Sequence, residues 1–176
     1  MFDLRTLVAG IEPHDALAHT HRAEALAWID SGVPRVRAEA PDRHLVSYFV
    51  VRDPHHDTLL LVDHRKAGLL LPTGGHVEPG EDPWQTVVRE CHEELAIEAV
   101  PAAFGARPAF LTITATRGAV PHVDVSLWFL LEAARESVRW YDPAEFAGLQ
   151  WLTPGEVRAT PIDRLDPHMH RFLDVL

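Results

Sequence analysis

The sequence is poor in cysteine, in positive charge and in long apolar runs. Its 176 residues include one cysteine, Cys91, so an internal disulfide is excluded. The longest apolar runs have only a few residues, as at 127–131, which excludes a membrane-spanning helix. Sixteen Lys and Arg residues stand against 26 Asp and Glu residues, a net charge of -10. This balance argues against nucleic-acid polymers and anionic membranes as partners.

A cytoplasmic location and a small phosphorylated partner are favoured instead. Residues 1–5 show no basic region followed by an apolar stretch, so no secretory signal is predicted, and a lone cysteine suits the reducing cytoplasm. An acidic protein still binds a phosphorylated ligand when a divalent cation lies between its carboxylates and the phosphate oxygens. Twelve histidines are many for this length, but no pair has zinc-ligand spacing with a third candidate, so no structural zinc site is predicted.

The apolar pattern predicts a single domain over residues 1–176, in three parts. Residues 1–40 are expected to form a helical appendage, because the apolar residues between positions 16 and 29 are spaced as a stripe. Residues 45–152 form the core, and short helices within residues 153–176 close the chain. Three histidines of the first part are expected to be solvated: His14, His19 and His21.

Period-two alternation of apolar residues predicts the strands of the core. Residues 45–51 and 58–62 are typical of a β-hairpin around a polar turn. Further strand-like runs lie at residues 69–72, 109–115, 122–131 and 149–152. Strands thus surround one strong central helix, with further helices at both ends of the chain. This order predicts an α/β fold whose mixed sheet is covered on both faces.

The central helix carries three carboxylates on one surface, those of Glu90, Glu93 and Glu94. Its start is predicted by Asp82 as N-cap, Pro83 in the first turn and Gln85 at the third helical position. Like charges at spacings of three and four cost each pair about 0.2 to 0.5 kcal/mol, and no lysine lies one turn away. An acidic solvated face is the alternative, but a bound Mg²⁺ or Mn²⁺ would remove the repulsion.

The residues around this helix favour the ligand site. Gly74 and Gly75 allow the backbone to approach a ligand closely, and Glu81 and Arg89 flank the helix as an ion pair. From Gly75 to Ile97 the sequence is G-x5-E-x7-R-E-C-x-E-E-x-A-I. It resembles the signature of the Nudix hydrolases, G-x5-E-x7-R-E-U-x-E-E-x-G-U, in which U is an aliphatic residue.

Two positions depart from that signature. Cys91 stands at a U position, where it acts as a small buried apolar residue. Ala96 stands in place of the family glycine, and a left-handed alanine at a helix end costs roughly 1 kcal/mol. The resemblance implies a Nudix-type α/β/α sandwich with a mixed β-sheet and an additional N-terminal helix.

The resemblance also implies a reaction: metal-dependent hydrolysis of a pyrophosphate bond in a small molecule that contains a nucleoside diphosphate. The cofactor would be Mg²⁺ or Mn²⁺. Arg89 and Glu81 would fix the helix against the preceding loop, and Glu93 is alternatively the general base. The implied metal ligands are the Gly75 carbonyl and the carboxylates of Glu90, Glu93 and Glu94.

Five residues outside the signature are further candidates. Glu145 precedes a late strand, where several members of the family that this sequence resembles carry an extra carboxylate, so the resemblance makes it a candidate general base, with a surface loop acid as the alternative. His122 and Asp124 alternate with apolar residues and therefore project from one face of a strand, where they are candidates to contact substrate or water. Arg65 and Lys66 form a rare basic pair that could meet phosphate oxygens, with a solvated turn as the alternative.

Other functions of the same fold remain open. A noncatalytic nucleotide-sensing module is one, although the intact carboxylate set argues for catalysis. A diphosphate isomerase is less favoured, since it needs a cysteine in the cleft and Cys91 belongs to the apolar helix face. Tyr48 and Trp128 are expected in the core, with stacking on a base as the alternative. A homodimer is compatible with the sequence, which determines neither the oligomeric state nor the substrate.

Overall fold

Residues 3–116 and 121–176, the part of the chain that the computed structural model describes, contain seven strands and five α-helices. Residues 1 and 2, part of the segment 1–5 in which no secretory signal is predicted, lie outside this part. The strands are β1 Arg43–Asp53, β2 Thr58–His64, β3 Leu69–Leu71, β4 Thr73–His76, β5 Phe110–Ala115, β6 Val123–Glu132 and β7 Phe146–Leu152. The helices are α1 Leu4–Ala9, α2 Ala16–Asp30, α3 Pro83–Leu95, α4 Pro154–Ala159 and α5 Met169–Phe172.

The strands form one mixed sheet in the order β3-β2-β1-β6-β5. The predicted hairpin is confirmed: β1 and β2 pair antiparallel, with Val51 opposite Leu60. Next to it, β1 runs parallel to β6 over ten paired positions, and β5 pairs antiparallel with β6. The short strand β4 pairs with the first half of β1, and β7 pairs with β2. The glycine-rich segment before α3 is therefore held as a strand at the middle of the sheet.

Alternate residues of the central strands supply two apolar cores, one on each face of the sheet. Val125, Leu127 and Phe129 of β6 join one core, which the apolar face of α3 completes. Trp128 and Leu130 point into the other core, which α5 covers. Helices thus cover both faces, and the α/β/α sandwich expected from the sequence is confirmed. Trp128 is fully buried, as expected of a core residue.

The N-terminal segment contains two helices, and it covers an edge of the sheet. Helix α2 packs along the edge strand β5, where the Nδ1 atom of His21 accepts the Ile113 backbone N–H at 3.3 Å. His21 is buried, so its expected solvation was wrong. The ring takes up a backbone donor that an edge strand otherwise leaves unpaired. At the start of α2, the carboxylate of Asp15 accepts two hydrogen bonds from Arg171, at 2.7 and 2.8 Å.

Within the described residues 3–116 and 121–176, no helix combines the length and the apolar character that crossing a bilayer requires.

Helix α3 begins as predicted and ends in a strained residue. The Asp82 side chain accepts the backbone N–H groups of Trp84 and Gln85, and the Gln85 side chain accepts the Asp82 N–H in return. At the other end, Ala96 has φ 52° and ψ 37°, in the left-handed region that glycine adopts without a steric penalty.

Replacing Ala96 by glycine is therefore expected to raise the free energy of unfolding by about 1 kcal/mol. Urea denaturation of the variant and the wild type measures the difference, and activity should change little. Ala23→Gly is the matched control, because Ala23 is exposed in the middle of α2 and the same change there should destabilise by about 1 kcal/mol. Equal destabilisation by both substitutions would contradict the strain at Ala96.

Candidate active site

Two glycines let the carboxylate face of α3 lie directly against β4. Gly74 has φ 139°, and a Cβ atom there would overlap the backbone oxygen of Ser47 on β1. A Cβ atom on Gly75 would overlap the Oε1 atom of Glu90. Both positions therefore require glycine, one for the strand pairing and the other for the close approach of the Glu90 carboxylate.

Glu94 is the most buried carboxylate of α3. It is 6% exposed, and its Oε2 atom accepts the backbone N–H of Gly74 at 3.0 Å. Burial, reinforced by the nearby charge of Glu90, raises the pKa of Glu94 to about 9. Without a cation, the folded protein therefore holds a proton on Glu94 at neutral pH.

Glu90 and Glu93 differ from each other in exposure. Glu90 is nearly buried, and its burial raises the pKa of the carboxyl although Arg89 donates to it at 2.7 Å. Glu93 is 57% exposed at its side chain and accepts a longer hydrogen bond from Arg89, at 3.2 Å. The carboxylate face of α3 thus runs from the buried Glu94 to the solvated Glu93.

Arg89 connects this face to the loop before the helix. Its Nε and Nη2 atoms donate to the two carboxylate oxygens of Glu81 at 2.8 and 3.2 Å, and Nη2 also donates to the His76 carbonyl at 3.1 Å. The hydrogen bonds from Arg89 lower the pKa of Glu81. The Nη1 atom is the donor to Glu90 and Glu93. One guanidinium therefore orients three carboxylates and the end of β4.

A cleft of about 670 Å³ opens beside these residues. This volume lies within the range of small-molecule sites in proteins. Helix α3 contributes Glu90 and Glu94 to its wall, and β4 contributes Gly74 and Gly75. Other residues that line it carry charge, an imidazole or an aromatic ring: Arg37, Tyr48, His64, Lys66, His76, His122, Asp124, Glu145, Phe146, Asp163 and Asp166.

The predicted residues outside α3 take different places around the cleft. Glu145, immediately before β7, lies in its wall and close enough to Glu90 and Glu94 to repel both carboxylates. Lys66 also lines the cleft. Arg65 instead uses its Nε atom to donate to the carbonyls of Pro143 and Phe146, at 2.9 and 3.0 Å. It thereby holds the loop that carries Glu145.

His122 and Asp124 come together as their alternation predicts. The His122 Nε2 and Asp124 Oδ1 atoms lie 3.3 Å apart, and both residues line the cleft. Sequence reasoning missed two residues that join them, His44 and His76. Sequence reasoning also missed Arg37. The spacing of His44, His76 and Arg37 along the chain does not indicate that folding brings them to one wall of the cleft.

Comparison with known proteins identifies the family to which this fold belongs. The profile of the NUDIX domain matches residues 42–176, about three quarters of the chain. The chain belongs to the Nudix family. As a Nudix hydrolase it acts on phosphorus-containing anhydrides, and the signature read from Gly75 to Ile97 lies within the matched region. A comparison with curated proteins gives no match.

Solved structures of Nudix proteins share the fold at low identity. A MutT protein from Methanosarcina mazei Go1 has a TM-score of 0.60 at 19% identity, covering 74% of this chain and 89% of its own. A NUDIX-family hydrolase from Clostridium perfringens has a TM-score of 0.55 at 20% identity, with coverages of 76% and 97%. The E. coli dihydroneopterin triphosphate pyrophosphohydrolase has a TM-score of 0.56 at 16% identity, with coverages of 75% and 96%. Such identities show the fold alone.

The Nudix residues of this chain suit the divalent cation that the family implies. All the candidate ligand atoms are oxygens, the donors that Mg²⁺ and Mn²⁺ prefer. Glu94 is buried and the neighbouring Glu90 nearly so, and burial raises the pKa of both carboxyls, which reflects the cost of charging both without a counter-ion. A dication between them would favour the charged forms, so the donor set fits the group.

Cys91 does not reach the cleft. Its side chain is fully buried in the core between α3 and the sheet, and burial raises the pKa of the thiol to about 12. A diphosphate isomerase needs a reactive cysteine in the cleft, and a protonated thiol in an apolar core cannot react there. The structure therefore argues against that alternative, as the sequence does.

Proposed function

We propose that this Nudix protein hydrolyses a pyrophosphate bond in a small molecule that contains a nucleoside diphosphate, with Mg²⁺ or Mn²⁺ as its cofactor. The observation that carries the proposal is the burial of Glu94 beside Glu90 in the wall of a cleft that suits a small molecule. Burying two carboxylates together is costly, and a fold retains such a pair when a cation binds it.

In this proposal the cation is held by the carboxylates of Glu90, Glu93 and Glu94, with the Gly75 carbonyl as a further ligand. When bound, the cation activates water and neutralises charge on the leaving phosphate. Glu94 must lose its proton on binding, because a hard dication requires an ionised ligand. The hydrogen bond from the Gly74 backbone N–H directs the Glu94 carboxylate toward β4.

Two positioning residues and two candidate bases complete the proposed machinery. Arg89 and Glu81 orient the carboxylates of Glu90 and Glu93 through the hydrogen bonds described above. The general base that removes a proton from the attacking water is Glu145 or Glu93. Glu145 is supported by its place in the cleft wall, and Glu93 by its solvated carboxylate, which shares the Arg89 guanidinium with Glu90.

The cleft also supports a phosphorylated substrate with an aromatic group. Lys66 and Arg37 place positive charge in its wall, where phosphate oxygens need a partner. Arg65 contributes indirectly, through the loop that it holds. The half-buried Tyr48 ring also lines the cleft and is available to stack on a base. The E. coli relative takes its name from a pteridine triphosphate, so dihydroneopterin triphosphate belongs in a test panel beside nucleotides.

A substrate panel with controlled metal content tests the proposal. We expect cleavage of a pyrophosphate bond in at least one compound among canonical and oxidised dNTPs, nucleotide sugars, ADP-ribose, NADH, diadenosine polyphosphates, CoA and dihydroneopterin triphosphate. Chromatography would detect the products, which are a monophosphate with pyrophosphate from a triphosphate, and two phosphate esters from the other compounds. EDTA should abolish turnover, and excess Mg²⁺ or Mn²⁺ alone should restore it. Full activity in chelator would contradict the metal assignment. Tight nucleotide binding without turnover of any compound would favour the sensing module instead.

A further inference from the structure

Three histidines and an aspartate meet at one end of the sheet. They come from neighbouring strands: His44 from β1, His76 from β4, His122 from the residue before β6 and Asp124 from β6 itself. One ligand atom from each lies within 4.8 Å of all the others. The Oδ1 atom of Asp124 is 3.3 Å from the Nε2 atom of His44 and 3.3 Å from the Nε2 atom of His122.

The hydrogen bonding of His44 leaves a lone pair directed at this cluster. Its side chain is completely buried, and its Nδ1 atom lies 3.1 Å from the Ala40 carbonyl, which can only accept a hydrogen bond. The ring proton therefore belongs on Nδ1. With that proton on Nδ1, the neutral ring has a bare lone pair on Nε2.

That lone pair faces a second unpartnered atom. Neither His44 Nε2 nor Asp124 Oδ1 makes a hydrogen bond within the described part of the chain, although both atoms are buried. Two acceptors 3.3 Å apart repel each other unless a cation or a proton lies between them. Metal-binding histidines share this arrangement: one ring nitrogen donates to a backbone carbonyl, and the other binds the ion.

We propose that His44, His76, His122 and Asp124 bind a borderline divalent metal ion of the zinc class, at a site separate from the carboxylates of α3. Imidazole with a single carboxylate suits Zn²⁺ and its first-row neighbours, whereas Mg²⁺ requires oxygen ligands. Zinc ligands about 2.1 Å from a tetrahedral ion lie about 3.4 Å from each other, close to the two separations of 3.3 Å. This assignment replaces the substrate contact that the sequence predicts for His122 and Asp124.

A second group of possible ligands shows why the histidine cluster is distinct. Asp53, His56 and Glu136 also lie close together, where the end of β1 and the following turn meet the segment after β6. The Asp53 carboxylate, however, already accepts hydrogen bonds from the His56 ring and from the backbone of His55, His56 and Arg135. Its oxygens are satisfied without a metal ion, so this group carries no metal proposal.

A filled site would change both the stability and the charge of the cleft wall. It would connect β1, β4 and β6 at their shared end. A dication with three neutral imidazoles and one carboxylate leaves one net positive charge beside the cleft that His76, His122 and Asp124 line. The inference is independent of the proposed hydrolysis, since it rests on other residues and is tested by metal binding.

The test measures zinc binding to the full chain while Mg²⁺ is present in excess. The protein is stripped with EDTA, exchanged into buffer with millimolar Mg²⁺ to fill the carboxylate site, mixed with Zn²⁺ and desalted. We expect about one equivalent of zinc by elemental analysis and a raised melting temperature. Co²⁺ should replace zinc and give the intense visible absorption of a tetrahedral complex with nitrogen and oxygen ligands.

Variants locate the site. Asp124→Asn and His122→Gln should each lose the bound zinc, the cobalt absorption and the rise in melting temperature. His44→Gln is the third test, and circular dichroism checks that it folds. Glu94→Gln and His56→Gln are the controls and should keep about one equivalent. Zinc retained by Asp124→Asn and His122→Gln, or lost only in a control, would overturn the proposal. No zinc on the wild type would also overturn it and leave a shared proton between His44 and Asp124.

Discussion

Replacing Glu94 by glutamine is expected to lower kcat/KM by at least about 100-fold, or about 3 kcal/mol of transition-state stabilisation. Glutamine keeps the size of the side chain and its amide oxygen can still accept the Gly74 N–H, but it lacks the charge that a hard dication requires. The loss should appear mainly in kcat, because charge neutralisation acts on the leaving phosphate during bond cleavage. It is measured on the best substrate of the panel, at saturating Mg²⁺.

The fold should survive this change. In the metal-free protein Glu94 is protonated at neutral pH, since its pKa is about 9, and a glutamine resembles that neutral form. Melting curves in EDTA should therefore nearly coincide, while Mg²⁺ should raise the melting temperature of the wild type more than that of the variant. Glu98→Gln is the matched control, because Glu98 is exposed just beyond α3. Equal activity of Glu94→Gln and the wild type would show that the metal site is misplaced.

Replacing Arg89 by methionine is expected to reduce both stability and activity. The change removes the charged partner of Glu81 and Glu90 in a partly buried position, and Glu81 keeps only its hydrogen bonds from the Thr86 hydroxyl and the Glu78 backbone N–H. Removing one partner of a buried ion pair lowers the free energy of unfolding by about 3 to 5 kcal/mol. Because these side chains are partly exposed, we expect a smaller loss for Arg89→Met, of about 2 to 3 kcal/mol. Because Arg89 orients the carboxylates, kcat/KM should fall by about 10- to 100-fold.

The stability loss should depend on pH in a defined direction. Arg89 lowers the pKa of Glu81 in the folded protein, so the pair stabilises the fold above the unfolded-state pKa of about 4.3. That contribution disappears as the pH falls through the lower pKa that Glu81 has in the folded protein. The difference in free energy of unfolding between Arg89→Met and the wild type should therefore be largest at neutral pH and shrink below about pH 4.

Urea denaturation across this pH range measures the difference. Arg158→Met is the matched control, since Arg158 pairs with Asp174 on the surface with both side chains about half exposed. Arg158→Met should lower the free energy of unfolding by no more than about 1 kcal/mol. If both arginine variants lose the same small amount, Arg89 is an ordinary surface cation and does not position the carboxylates.

Local sequence determined the central helix and its chemistry. Asp82, Pro83 and Gln85 specify the start of α3 through contacts within one turn, and the spacing of Glu90 and Glu94 places their carboxylates on one surface. Helix caps and faces can be predicted because they depend on residues three or four positions apart. The strands were predictable for a similar reason, since period-two alternation reflects the two cores that the sheet separates.

Only the tertiary structure decided which distant residues share a site. His44, His76 and His122 are separated by dozens of positions, and they meet because β1 pairs with β4 on one side and with β6 on the other. The same pairing fixes the burial of Glu94, which the helix pattern alone cannot show. His21 was misread because the edge strand that it caps lies about 90 residues further along the chain. Strand pairing depends on the whole sheet, so the spacing of residues along the chain does not predict which distant strands become neighbours.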